Sequence, residues 1–157
     1  ESDNLATSAL VENLEKIFGD NDSILNTYRE LGLIVSYNYK EEDLSPKSYA
    51  SLFRLLYNVS YLSKESSDSI LSVLSESSFK DGLVGGVPKQ VVVAHKFGER
   101  FGLPKGQKQL HDCGIVYYPK NPYLICIMTK GTDYKVMAEI IRDISEMVYK
   151  EVDRRRF

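Results

Sequence analysis

Lys96, Phe97 and Gly98 form a Lys-x-Gly step that follows the run Gln90-Val91-Val92-Val93-Ala94-His95. An ammonium two residues ahead of a glycine joins a cation to a point where backbone can approach a ligand closely. Val91, Val92 and Val93 favour a strand, because β-branched side chains fit a pleated, half-buried surface. Pro88 and Gly85-Gly86 mark where that strand begins, which places Lys96 at its end. A lone lysine there is ordinarily a solvated charge. A second group stands at the start of the chain. Ser2-Asp3-Asn4 brings a hydroxyl, a carboxylate and a carboxamide together. All three are good helix N-cap types, so alone the triplet reads as a capping segment.

The two groups carry more weight together. S-D-N followed later by K-x-G on a strand is the order of motifs in class A β-lactamases and penicillin-binding proteins. The surrounding sequence resembles that family as well. Ser2-Asp3-Asn4-Leu5-Ala6-Thr7 opens an amphipathic helix, and Val93-Ala94-His95-Lys96-Phe97-Gly98-Glu99 looks like the strand bearing K-T-G. Asp112 to Pro119 and Pro122 to Gly131 look like the next two strands. Over nearly all its length the chain resembles the C-terminal portion of a class A β-lactamase-like serine hydrolase, from S-D-N onward. The resemblance implies an α+β, β-lactamase/transpeptidase-like fold whose N-terminal strands and nucleophile helix are missing.

Acyl transfer to a serine needs a nucleophile, a base, a proton donor for the leaving nitrogen and an oxyanion hole. The resemblance casts Ser2 as the relay that protonates the departing amine. Asn4 would hold the nucleophile's partner lysine and the substrate amide. Lys96 would attract the substrate carboxylate and bias Ser2, with Phe97 and Gly98 beside the substrate. The backbone N–H of Glu99 would be one oxyanion donor, and the nucleophile's own N–H the other. Ser77-Ser78-Phe79-Lys80 matches S-x-x-K by letter. It follows S-D-N and sits at a helix end, where the family places the motif earlier, so it reads as a chance match.

Two departures from the family pattern stand out. Phe97 replaces the hydroxyl residue of K-T-G, and a phenyl ring cannot donate to a carboxylate. The loop Tyr37 to Leu44 lacks the family's Glu-x-x-Leu-Asn pattern; Glu41 and Glu42 read as solvated loop charges. The implied function is acyl-enzyme chemistry on β-lactam or cell-wall peptide amides, inactive in this chain without the S-x-x-K segment. The alternative is a non-catalytic or degenerate penicillin-binding-type protein on the same fold. No cofactor is implied. His95 and His111 read as ordinary polar strand residues with no metal partner by spacing.

Positioning these residues falls to a helical region over 1–85 and an antiparallel sheet with a C-terminal helix over 86–157. Together they form part of one domain. Helices are expected over Asn4 to Phe18, stopped by Gly19, and after the capping run Asp20-Asn21-Asp22-Ser23 up to Gly32. A third helix starts at Ser45-Pro46, with Tyr49, Leu52, Phe53, Leu56 and Tyr57 as its buried stripe. Lys64 to Leu74 forms a fourth. The Lys96 strand is followed by a hairpin of Gln109 to Tyr118 and Tyr123 to Lys130, turning on Lys120-Asn121. The last helix is expected to bury Val136, Ile140, Ile144, Met147 and Val148. Helices, then strands, then a helix indicate α+β.

Composition bounds the rest. At 157 residues and 43% hydrophobic content the chain is one domain or a large piece of one. A net charge of −2 gives no sign of a nucleic-acid binder. Arg154-Arg155-Arg156 reads as a solvated tail. No apolar run is long enough to span a membrane. A chain opening on Glu1 reads as processed or truncated, so the absence of a signal peptide carries no weight. Cys113 and Cys126 fall on one face of the hairpin, a diagonal step apart. That spacing allows a disulfide, but two reduced core cysteines are the expectation. Without its family's N-terminal strands, Tyr123 to Lys130 would be an exposed apolar edge. A partner is therefore expected there: the N-terminal segment of the same domain or a second copy. The substrate expected is a small molecule or peptide, and the setting implied by the resemblance is extracytoplasmic.

Overall fold

A computed structural model describes residues 3–19, 23–33 and 45–155. Helices begin where a side chain takes up their free N–H groups. Asp3 accepts from the N–H groups of Leu5 (2.9 Å) and Ala6 (3.1 Å) at the head of α1, Asn4–Phe18, which Gly19 closes at φ 71°. Helix α2 spans Ser23–Glu30. Ser45 Oγ accepts from Ser48 N–H (3.0 Å) at the head of α3, Pro46–Tyr57. Ser63 Oγ accepts from Ser66 N–H (3.1 Å) at α4, Lys64–Ser75. Asp133 accepts from Lys135 N–H (2.7 Å) at α5, Tyr134–Arg154. Ser2, the expected cap Asp20 to Asp22, the loop carrying Glu41 and Glu42, and Arg156 lie outside the described residues.

The chain divides into two compact units, residues 1–49 and 50–157. In the first, α1 has no buried residue, and Leu5, Leu10, Leu14 and Ile17 are all exposed. In the second, strands β1 (Val93–Arg100), β2 (Lys108–Val116) and β3 (Tyr123–Gly131) form an antiparallel sheet in the order β1-β2-β3. The core lies between this sheet, a 3₁₀ turn at Leu83–Gly86 and α5. Its centre is Leu83, Val93, Leu110, Val116, Met137 and Ile141.

Several expectations are corrected. Strand β1 starts at Val93, because Val91 spends its N–H on the carbonyl of Pro88 (2.9 Å) in a turn. It runs on to Arg100, so Lys96 lies within the strand and not at its end. The hairpin turns on Pro119-Lys120, one residue earlier than expected. Asn121 N–H donates to the Tyr118 carbonyl (3.1 Å), with proline at the second turn position and Lys120 at φ 67°. That register sets Cys113 directly opposite Cys126, and the two form a disulfide in place of the reduced pair expected.

Helix α5 buries a stripe that differs in part from the one expected, although Val148 does pack against the core. Met137, Ala138, Ile141 and Ser145 are buried, whereas Val136, Ile140 and Met147 are 51%, 45% and 61% exposed. The helix carries two apolar stripes, and close approach to the 3₁₀ turn selects between them. A Cβ on Gly86 would lie 2.4 Å from the Arg142 carbonyl and 2.6 Å from Ser145 Cβ. Only a small side chain such as that of Ser145 fits opposite Gly86. Arg154 and Arg155 are solvated as expected, and both also bind Glu151, at 2.7 and 2.5 Å.

Removing the disulfide by Cys113→Ser or Cys126→Ser is expected to lower stability by about 3 kcal/mol, given the short loop it closes. Urea unfolding under oxidising and reducing conditions reads this. Gly114 faces a tight wall: a Cβ there would lie 2.4 Å from the Ala94 carbonyl and 2.5 Å from His95 Cβ, whereas one on Gly98 would meet nothing within 4 Å. Gly114→Ala should therefore cost about 3 kcal/mol, and Gly98→Ala should stay within about 1 kcal/mol. Denaturation midpoints of the two variants provide the comparison.

Candidate functional site

Strand β1 has one paired edge and one free of any strand partner among the described residues. The N–H of Tyr117 donates to the carbonyl of Val92 (2.9 Å). Antiparallel ladders alternate, so residues 94, 96, 98 and 100 also turn their N–H and C=O toward β2. Residues 93, 95, 97 and 99 turn theirs outward. The Glu99 N–H and the Phe97 C=O thus face the free edge.

Side chains obey the same period of two. Val93 belongs to the core over α5, and Phe97 packs against that core. The side chains of Val93, His95, Phe97 and Glu99 therefore point to the α5 face. Lys96 starts on the opposite face, half-buried, and its ammonium bends back over the edge to donate to the outward carbonyl of Phe97. The ammonium sits 5.1 Å from the centre of the Phe97 ring. Burial pushes the Lys96 ammonium below its usual pKa, and the charge of Asp112 pulls it back up. Gly98 leaves the strand open beside it.

Phe97 does not project freely at the edge. Its ring stacks on Phe79, with centroids 4.4 Å apart and planes at 22°. Glu99 lines a cavity of ≈ 600 Å³ with Phe79, Lys80, Tyr134 and Arg142, between the end of β1 and α5. Its side chain and its backbone N–H thus serve different surroundings.

Of the residues singled out from sequence, β1 brings Lys96, Phe97, Gly98 and Glu99 together. Asn4 is the exposed first residue of α1 in the other unit, and its carbonyl accepts from Ser8 Oγ (3.0 Å). Ser2 lies outside the described residues. Asp3, the middle of the triplet, is the N-cap of α1. Ser77 and Lys80 both lie beyond the end of α4, so they are not a helical turn apart.

Sequence reasoning missed a buried pair on the α5 face of the sheet. His95 is fully buried, and its Nδ1 lies 2.8 Å from Oδ1 of the equally buried Asp112. Oδ2 of Asp112 accepts from Leu83 N–H (2.9 Å). One signal was available. Asp112 stands two residues after Leu110 and four before Val116, so strand alternation turns a carboxylate inward among apolar neighbours. No group of three or more metal-ligating side chains occurs among the described residues.

Comparison with known proteins agrees with this architecture. The β-lactamase enzyme family matches the chain over residues 1–152. No curated protein matches it. Among solved structures it is similar to PBP-A, at 25% identity and a TM-score of 0.67, over 82% of this chain and 50% of that one. A mutant of PBP-A solved as an acyl-enzyme complex with penicillin G aligns at 25% identity and a TM-score of 0.65, with the same coverage. A representative of class A β-lactamase from Bacteroides cellulosilyticus aligns at 23% identity and a TM-score of 0.75, over 91% of this chain and 58% of that one. The expected β-lactamase/transpeptidase-like fold holds. The chain spans between half and three fifths of the length of these relatives.

His111 stands opposite Gly98 on β2. Burial lowers its pKa, with the backbone bond at Leu110 pulling the other way. A histidine whose folded pKa is depressed stabilises the fold above its unfolded value of ~6.5, and that stability is lost as pH falls from there through the lower folded value. Unfolding free energy should thus drop between about pH 7 and 5. The drop should shrink in His111→Gln, as measured by urea titrations across that range.

Proposed function

The chain belongs to the β-lactamase enzyme family, and we propose that it supplies the S-D-N and K-x-G side of a serine acyl-transfer site. The observation that carries this reading is the free edge of β1. It sets a half-buried ammonium, an open glycine and an outward N–H within four consecutive residues. Lys96 attracts the carboxylate of the substrate and biases Ser2. Ser2 relays a proton to the departing amine, and Asn4 holds the nucleophile's partner lysine and the substrate amide. The Glu99 N–H donates to the developing oxyanion, where a fixed donor is worth most. The nucleophile of an S-x-x-K segment and the second oxyanion donor come from the rest of the domain. That segment, or a second copy of the chain, also pairs with the outer edge of β3. The substrate is a β-lactam or a cell-wall peptide amide. The acyl-enzyme complex of a PBP-A mutant with penicillin G supports that choice.

The Cys113–Cys126 disulfide favours an extracytoplasmic setting, where such bonds persist. Among the described residues no helix is long and apolar enough to cross a membrane.

Phe97 favours a second reading. Its ring is engaged with Phe79 and offers no hydroxyl to a substrate carboxylate. A binding protein on the same fold would keep the edge and lose the turnover. Intact-mass spectrometry before and after penicillin exposure separates the two. A penicilloyl adduct on a serine of an S-x-x-K segment is expected in the complete domain, with none on residues 1–157 alone. Retained penicillin binding without an adduct would establish the binding protein.

A further inference from the structure

We propose that His95 and Asp112 form a buried positioning pair for Lys96 and the outward edge of β1. The proposal rests on the acyl-transfer reading for its purpose, but not for its physical content.

The pair joins β1, β2, the 3₁₀ turn and, through it, α5. Asp112 on β2 bonds His95 on β1 through Oδ1 and the Leu83 N–H of the 3₁₀ turn through Oδ2. Ser145 Oγ on α5 donates to the Leu83 carbonyl (2.9 Å), which extends the chain of bonds to the last helix. Two glycines make room for it. A Cβ at Gly82 would sit 2.4 Å from Asp112 Oδ2, and one at Gly114 would sit 2.5 Å from His95 Cβ. Both side chains are shut off from water. The pair is thus built into the packing.

Protonation follows from the same geometry. Nδ1 faces the carboxylate, so it is the nitrogen that carries the hydrogen. Nε2 is buried and meets no hydrogen-bond partner among the described residues. A second proton there would place an N–H against nothing that accepts it, at the cost of an unmet buried donor. A hydrogen on Nδ1 therefore meets Asp112 Oδ1 directly. Asp112 shares the α5 face with Phe97, its in-register partner, and the Lys96 ammonium reaches round the edge of β1 to the Phe97 carbonyl and to within 5.1 Å of the Phe97 ring centre. His95 fixes where the carboxylate sits, and the carboxylate holds the neighbouring ammonium charged in a half-buried place. His95 touches no substrate; it acts through Asp112.

The test uses the full chain labelled with ¹⁵N and ¹³C. Imidazole ¹⁵N spectra should show a hydrogen on His95 Nδ1. The Lys96 titration midpoint, read at its Cε, should fall by about one unit or more in Asp112→Asn. His95→Asn, which keeps an N–H for Asp112, should titrate like the parent, and His95→Val should resemble Asp112→Asn. In the complete domain the same two disruptive variants should acylate about tenfold more slowly, as misplaced groups do. A folded Asp112→Asn with an unmoved Lys96 midpoint overturns the proposal. Should that variant not fold, equal midpoints in His95→Asn and His95→Val overturn it. Absence of any penicilloyl adduct in the complete parent would sink the acyl-transfer reading alone, because the Lys96 midpoint is measured without substrate.

Discussion

Taking a carboxylate out of water costs several kcal/mol unless its lone pairs are met, and Asp112 is met from two directions at once. The His95 imidazole approaches from β1 and the Leu83 N–H from the 3₁₀ turn. Neither partner can be withdrawn without stranding a charge in the interior. Much of the surrounding detail follows from this. Gly82 and Gly114 lack side chains because the pair occupies their space. The turn at Leu83–Gly86 stays tight against α5, and Gly86 then decides which stripe of that helix faces inward. A single buried ion thus fixes the spacing of two strands, a turn and a helix.

The same arrangement shows what local sequence can and cannot convey. The heads of α1 and α3 were legible because their signals are local: Asp3 and Ser45-Pro46 act within one turn of their own position. The K-x-G strand was legible from its valines and its motif. Its starting point was not, because Val91 is captured by a turn that Pro88 sets up. The hairpin register depended on which pair of residues took the central turn positions. A shift of one residue there converts a diagonal cysteine pair into a facing one. The buried stripe of α5 was decided at a distance, by the earlier Gly86 that no window along the helix contains. His95 hid for a related reason. A histidine beside a lysine looks solvated until its partner on the next strand is placed.

Of the candidate site, the K-x-G half was visible as a run of adjacent residues that one strand must hold together. The S-D-N half falls in a different compact unit, and its sequence signal doubles as a helix cap, a role Asp3 does fill. Local chemistry and local structure compete for the same side chains there. In the strand they do not compete, because the ladder uses main-chain groups and leaves the side chains free.

That separation has a consequence for how the site tolerates change over evolutionary time. The residues whose amides face outward, Phe97 and Glu99 among them, send their side chains the other way, toward Phe79 and the cavity beside α5. Drift at those positions repacks the far side of the strand and leaves the row of outward amides unaltered. A hydroxyl can give way to a phenyl ring without moving the donor two residues on. The edge is then inherited as backbone geometry, while the preferences written in side chains around it remain free to diverge.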